Sequence, residues 1–213
     1  MKESTAKEKV LKQIRDALID KSDNPFPDID FETSVYNEIT ESLDITFAEA
    51  FNAVSGNFIY CMDNNDFIDN FNQISENNKW ANIFCIDTDL LKLLSNTKST
   101  VSSDENKFLN QNIGITKCEF LIARLGSIMV SSKQMSGRRM NVYPETHVIV
   151  AYTSQLVEDL KHALKLIRVK YDTMPSMISL ITGPSRTADI EKTLVMGAHG
   201  PKELYVFLID DSI

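Results

Sequence analysis

Met177-Ile178-Ser179-Leu180-Ile181-Thr182-Gly183-Pro184-Ser185-Arg186-Thr187, followed by the tail Leu204-Tyr205-Val206-Phe207-Leu208-Ile209, is the stretch whose reading decides the fold class. It opens on one continuous apolar run of strand length and closes on another. Such runs of roughly 4–8 residues, bounded by turn formers, read as strands buried on both faces. Between them residues 188–196 read as a helix, with Asp189 and Glu191 in the first turn, where the helix dipole favours acids. Gly197-Ala198-His199-Gly200-Pro201 then ends that helix. Strand, helix and strand make one βαβ unit with a right-handed crossover. On this reading the 182–187 turn lies beyond the carboxyl end of a strand and feeds a helix N-terminus, while the 197–201 turn lies at the opposite edge of the sheet.

The same rhythm recurs upstream. Phe47, Ala50, Phe51 and Val54 share one face of a helix over 44–54 that Gly56 ends, and Phe58-Ile59-Tyr60-Cys61 reads as a strand. Phe67, Ile68, Phe71 and Ile74 predict a helix over 66–77, and Ile83-Phe84-Cys85-Ile86 a strand before a short helix over 89–94. Residues 95–112 are polar and read as a loop with one turn of helix at most. Glu119-Phe120-Leu121-Ile122-Ala123 and Ser127-Ile128-Met129-Val130-Ser131 flank Arg124-Leu125-Gly126 and predict a β-hairpin, since glycine supplies the positive φ of a tight turn. His147-Val148-Ile149-Val150-Ala151 reads as a buried strand and 153–167 as a helix. The expected class is α/β, an open, mostly parallel sheet flanked by helices, with a β-hairpin insertion. Residues 4–20 form an amphipathic N-terminal helical arm, which places an arm and linker at 1–27 and the α/β domain at 28–213.

The 213 residues carry a net charge of −8, with 43% hydrophobic and 24% charged residues. That balance supports a packed core and argues against a nucleic-acid binder, which needs a cationic face. No apolar run approaches the ~18 residues of a membrane span. The charged start Met1-Lys2-Glu3 does not resemble a secretory signal, so a cytoplasmic location without membrane insertion is expected. Cys61, Cys85 and Cys118 are far apart and read as buried, reduced thiols, so no cofactor is expected on this chain.

The 182–187 turn is the leading candidate site. Gly183 allows close backbone approach, the amides of a helix N-terminus point outward, Ser185 and Thr187 add hydroxyls, and Arg186 adds a bidentate cation. Gly183, Pro184, Ser185, Arg186 and Thr187 would bind a carboxylate or phosphate, with Asp189 and Gly200 in support; the competing reading is a capping turn in which Arg186 pairs with Asp189 or Glu191. His199, between two glycines, is a candidate acid–base residue or a helix C-cap. Glu119 is the one strand-associated carboxylate nominated for acid–base work, because burial could raise its pKa. Arg138 and Arg139 form a small basic patch, suited to a second anion or a partner's acidic surface. His147 reads as structural, and His162 as a surface residue. The histidine spacing supports no metal site. Asp63, Asp66 and Asp69 lack the glycine of a calcium loop.

The C-terminal motif Ile181-Thr182-Gly183-Pro184-Ser185-Arg186-Thr187-Ala188-Asp189-Ile190-Glu191 and the following Gly197-Ala198-His199-Gly200-Pro201-Lys202-Glu203-Leu204 resemble the hallmark of the LUD domain, the lactate-utilization protein C family. Ala123-Arg124-Leu125-Gly126-Ser127 and Pro144-Glu145-Thr146-His147-Val148-Ile149-Val150 are similar to two further family segments, although Arg124-Leu125 stands where the family has Glu-Thr and Glu145 where it has a second proline. The resemblance implies a NagB/RpiA/CoA-transferase-like fold and a role in organic-acid catabolism. It implies a non-redox subunit supporting oxidation of L-lactate to pyruvate, binding a small anionic metabolite, with iron–sulfur clusters on partner subunits; a homo-oligomer is compatible with it. Two alternatives stand beside this. One is an independent enzyme acting on a phosphorylated or CoA-linked substrate, and the other an assembly or regulatory module without catalysis.

Overall fold

The computed structural model describes residues 5–19, 26, 28, 36–187 and 195–212. The chain divides into two compact units, Met1–Glu38 and Ile39–Ile213. The first holds α1 (Ala6–Ile19), whose start is a capping box: the Thr5 amide donates to Glu8 Oε2 at 2.8 Å and the Glu8 amide to Thr5 Oγ1 at 3.3 Å.

In the second unit the elements are, in chain order, α2 (Leu43–Ala53), β1 (Asn57–Cys61), α3 (Asn64–Asn77), β2 (Ile83–Phe84), α4 (Thr88–Leu94), β3 (Val101–Ser102), β4 (Ile113–Lys117), β5 (Phe120–Ile122), β6 (Ser127–Ser131), β7 (Thr146–Tyr152), β8 (Leu156–Val157), α5 (Leu160–Lys170), β9 (Ile178–Ile181), β10 (Arg186–Thr187), β11 (Val195–Met196) and β12 (Glu203–Ile209). Six strands form a parallel sheet in the order β1-β12-β7-β4-β2-β3. A second sheet has the order β8-β5-β6-β9, and β10 and β11 make a small antiparallel pair.

Four layers follow from which residues are apolar on which face. On one face of the parallel sheet, Phe67 and Phe71 of α3 and Leu90 and Leu94 of α4 pack on Ile115, Val148, Val150 and Phe207. On the other, Ile149, Ala151, Val206 and Leu208 meet Phe47 and Phe51 of α2 together with Leu121, Ile128 and Val130 of the second sheet. That sheet's far side is covered by Ala163 and Ile167 of α5. The expected parallel α/β core is present, but a sheet shares with α2 the face that helices alone were expected to cover.

The hairpin forms as its sequence predicts, with Phe120 opposite Met129 and Gly126 at φ 56°. A Cβ on Gly126 would strike the Ala50 carbonyl and the Phe51 amide of α2, which are backbone atoms that cannot swing aside. Gly126→Ala is therefore expected to cost about 2–3 kcal/mol of stability. Urea unfolding reads this directly, and a loss below about 0.5 kcal/mol would show that the turn does not bear on α2.

Three expectations are corrected. First, 177–209 is not one βαβ unit. Strand β9 runs antiparallel to β6 in the second sheet, with Ile128 opposite Ile181, while β12 lies between β1 and β7 in the parallel sheet. A four-residue apolar run cannot tell a core strand from the edge strand that β9 is, and Leu180 stands 40% exposed. Second, Val195 and Met196 end no helix but pair with Thr187 and Arg186; residues 188–194, with Asp189 and Glu191, lie outside the described residues. Third, the helix expected over 153–167 begins only at Leu160, capped by Asp159, whose side chain accepts from the His162 amide at 2.7 Å. Thr153–Gln155 is a single 3₁₀ turn and Leu156–Val157 a short strand parallel to β5.

Candidate functional site

The two turns expected at opposite edges of a sheet meet. The Ser185 amide donates to the Pro201 carbonyl at 2.8 Å, and the Gly197 amide to the Ser185 carbonyl at 3.0 Å. The His199 amide lies 3.4 Å from Ser185 Oγ. A side chain at Gly200 would touch Ser185 Cβ at 3.3 Å. Ser185 thus fastens the 197–201 turn in place, and its own amide is spent inside the protein. Gly183, at φ 75°, presses against the Val54 carbonyl oxygen rather than a ligand, and Pro184 is buried with it. The expected row of free helix-N-terminal amides is therefore absent at Ser185, Arg186 and Thr187, because the chain there continues as strand β10. Arg186 itself is exposed.

The 197–202 turn forms one wall of a cleft of about 630 Å³, with Arg139, Tyr143 and Glu145 on another. Glu145 precedes β7 and Lys202 precedes β12, so the cleft lies at the amino ends of these parallel strands. His199, Gly200 and Arg139, singled out separately in the sequence, come together here. Lys202 and Tyr143 do not stand out in the sequence, and Glu145 does so only as a departure from the family pattern; Lys202 pairs with Glu145 at 3.0 Å, a contact between residues 57 apart in the chain that no local pattern signals. The Arg139 guanidinium sits 4.7 Å over the Phe108 ring, and Phe108 packs at a tilt against Tyr143 with centroids 4.9 Å apart, which holds the cation in one place. Since no described helix ends at Met196, His199 is no C-cap.

Glu119 is elsewhere and internal. Its residue is 1% exposed. Its carboxylate accepts from Ser131 Oγ at 2.5 Å, Lys170 Nζ at 2.7 Å and the Tyr171 hydroxyl at 2.8 Å. Burial, with help from this bond, pushes the Tyr171 phenol up to about 12. With its oxygens so engaged, Glu119 braces α5 against the hairpin. His147 is fully buried in β7, its Nε2 2.8 Å from Thr116 Oγ1, and burial holds it down to about 3. His162 is exposed. Asp63 caps α3 through the Asn65 and Asp66 amides.

Cys61 and Cys85 lie in the core on one face of the parallel sheet and Cys118 on the other, all free, each pushed up to about 12 chiefly by burial. Among the described residues no three His, Cys, Asp or Glu side chains are grouped to hold a metal ion. Among them, too, no helix is long and apolar enough to cross a membrane.

A six-stranded parallel sheet with helices on one face, backed on the other by α2 and a second, mixed sheet, defines a layered α/β protein. The chain belongs to the LUD domain family, whose model matches residues 2–209. It is similar to the Lactate utilization protein C of Bacillus licheniformis, 34% identical over 115 residues, which is 52% of this chain and 48% of that protein. To the Lactate utilization protein C of Bacillus subtilis it is 37% identical over 103 residues, 47% of this chain and 43% of that one. The chain thus spans about half the length of the curated relatives it matches. Among solved structures, a DUF162 family protein from Deinococcus radiodurans shares the fold, with a TM-score of 0.60 at 14% identity, over 78% of this chain and 96% of that chain.

Proposed function

We propose that this protein serves organic-acid catabolism as a non-redox subunit that supports oxidation of L-lactate to pyruvate and binds a small carboxylate in the 630 Å³ cleft. The observation that carries the reading is the meeting of Arg139, His199 and Lys202 around one cleft in a LUD domain whose curated relatives are named for lactate utilization. Arg139 is stacked and so preorganised to grip a carboxylate bidentately. The 183–187 turn takes part through Ser185, which anchors the cleft wall, and through Arg186, on the β10 arm whose partner strand leads into Gly197. Iron–sulfur clusters belong, on this reading, to partner subunits. Of this chain's three thiols, Cys118 lies across the parallel sheet from Cys61 and Cys85, so the three do not converge as a cluster ligand set. The reading of an independent enzyme draws no support from Glu119, whose carboxylate faces Ser131, Lys170 and Tyr171 instead of the cleft.

Thermal shift with lactate, pyruvate, a sugar phosphate and CoA tests the binding. At a hundredfold excess over Kd a bound ligand raises the melting temperature by about 5–10 °C. Lactate or pyruvate is expected to do so, and Arg139→Ala and Arg186→Ala to diminish the shift. If neither substitution alters any ligand-induced shift, the cleft is not an anion site. Co-purification from the native host tests the assembly: cysteine-rich partners are expected, and a chain that always elutes alone contradicts the subunit role.

A further inference from the structure

We propose a second ligand site, beside the cleft and distinct from it, in the pocket between β2 and residues 135–140, and we assign to it a small organic acid with an apolar body and a single carboxylate. The pocket measures about 210 Å³, the bulk of roughly seven water molecules at about 30 Å³ each. Its floor is apolar: Phe84, Phe108 and Met140 are 2%, 5% and 2% exposed, with Ile86 packed beside them. Phe84 and Phe108 meet edge to face at 5.1 Å, which fixes the shape of that floor.

The rim is cationic. Arg138 and Arg139 both border the pocket. Arg139 is steadied by its stacking on Phe108, and Arg138 by a bond from its guanidinium to Ser176 Oγ at 2.8 Å. Among the described residues neither forms a salt bridge. Two adjacent guanidiniums without a carboxylate partner, in a chain of net charge −8, are a place for an anion from outside. Glu105 stands on the same rim and leaves the pocket a net charge of +1, which suits a monoanion over a phosphate dianion. The apolar floor then asks that the carboxylate carry something to bury there, which lactate and pyruvate scarcely do.

Phe84 stands in register with Gly114, the second residue of β4, so the pocket lies over a face of the sheet beside the cleft, and only Arg139 borders both.

Isothermal titration of the full chain with hexanoate, acetate, hexanol and hexyl phosphate tests the assignment. Hexanoate is expected to bind at least about tenfold tighter than any of the other three, each of which lacks the charge or the body or carries too much charge. Arg138→Ala is expected to weaken hexanoate about tenfold, and Ile86→Glu, which sets a carboxylate against the floor, to abolish binding. Arg138 is exposed, so its variant is expected to melt with the parent. Lys202→Ala, which borders the cleft alone, is expected to leave hexanoate affinity unchanged. Equal affinities for hexanoate and acetate overturn the proposal, and so does loss of hexanoate binding in Lys202→Ala with retention in Arg138→Ala. Neither outcome touches the lactate reading, which stands or falls on the thermal shifts.

Discussion

Replacing Phe207 with alanine is expected to lower the free energy of unfolding by about 3–5 kcal/mol. Phe207 is fully buried in β12, flanked by β1 and β7. Its ring meets Phe67 edge to face at 5.3 Å and Phe71 at 5.9 Å, the two aromatic residues by which α3 grips the sheet. Truncation removes the transfer energy of a phenyl group and leaves a cavity between a helix and two strands that cannot both move in to fill it. A domain's whole stability is only about 5–15 kcal/mol, so the variant is expected to unfold at a far lower urea concentration with an unchanged slope. Phe207→Leu, which keeps most of the volume, is expected to lose about 1 kcal/mol. A loss below about 1 kcal/mol for the alanine variant would mean that α3 does not depend on this contact.

Phe207 also marks what local pattern can reveal. Strands β1, β7 and β12 are runs of apolar residues with turn formers at their ends, and each forms where its sequence predicts. No local pattern predicts strand β4. Ile113-Gly114-Ile115-Thr116-Lys117 mixes glycine and polar residues with isoleucine, and its burial is conferred by β2 and β7 on either side. Gly114 is needed there because Pro144 lies over it: a Cβ would come 2.5 Å from Pro144 Cγ. Strand β9 is legible as a strand, but its sequence does not say which sheet it joins, since that depends on β6, some 50 residues away.

The candidate sites divide in the same way. The glycine–histidine turn at 197–201 and the arginine pair at 138–139 stand out locally, as unusual residues in a polar context. That the first turn is tied to Ser185 is a tertiary fact. So is the bedding of the second on Phe84 and Phe108, which come from separate elements, one a strand and the other the polar stretch 95–112 that reads as a loop. Glu119 stands out because a carboxylate beside a strand is unusual. The partners that explain it, Lys170 and Tyr171, come from α5 and its end, about 50 residues on.

Acidification below about pH 6 is expected to destabilise the protein through His147, by about 1.4 kcal/mol per pH unit. The imidazole is fully buried, in register between Gly114 of β4 and Leu204 of β12. Its Nε2 is bonded to Thr116 Oγ1, and among the described residues Nδ1 has no partner. Burial alone depresses it from 6.5 to about 3. In the unfolded chain the ring titrates near its ordinary value of about 6.5. Between these two values the unfolded state therefore binds a proton that the folded state refuses. The stability associated with the neutral ring is present in full above about 6.5 and is lost progressively as the pH falls toward 3. At about pH 4.5 the loss reaches on the order of 3 kcal/mol. Urea unfolding of the parent and of His147→Gln, across that range, isolates the effect. Glutamine can still bond Thr116 and does not titrate, and the carboxylates that also respond to acid, Asp89, Asp210 and Asp211 among them, contribute to both proteins alike. The variant is expected to be the less stable at neutral pH, where its different shape costs packing, but to lose stability less steeply, so that the two curves converge on acidification. Parallel curves would show that the ring takes up its proton inside the fold, and that the row from Gly114 to Leu204 is open to water.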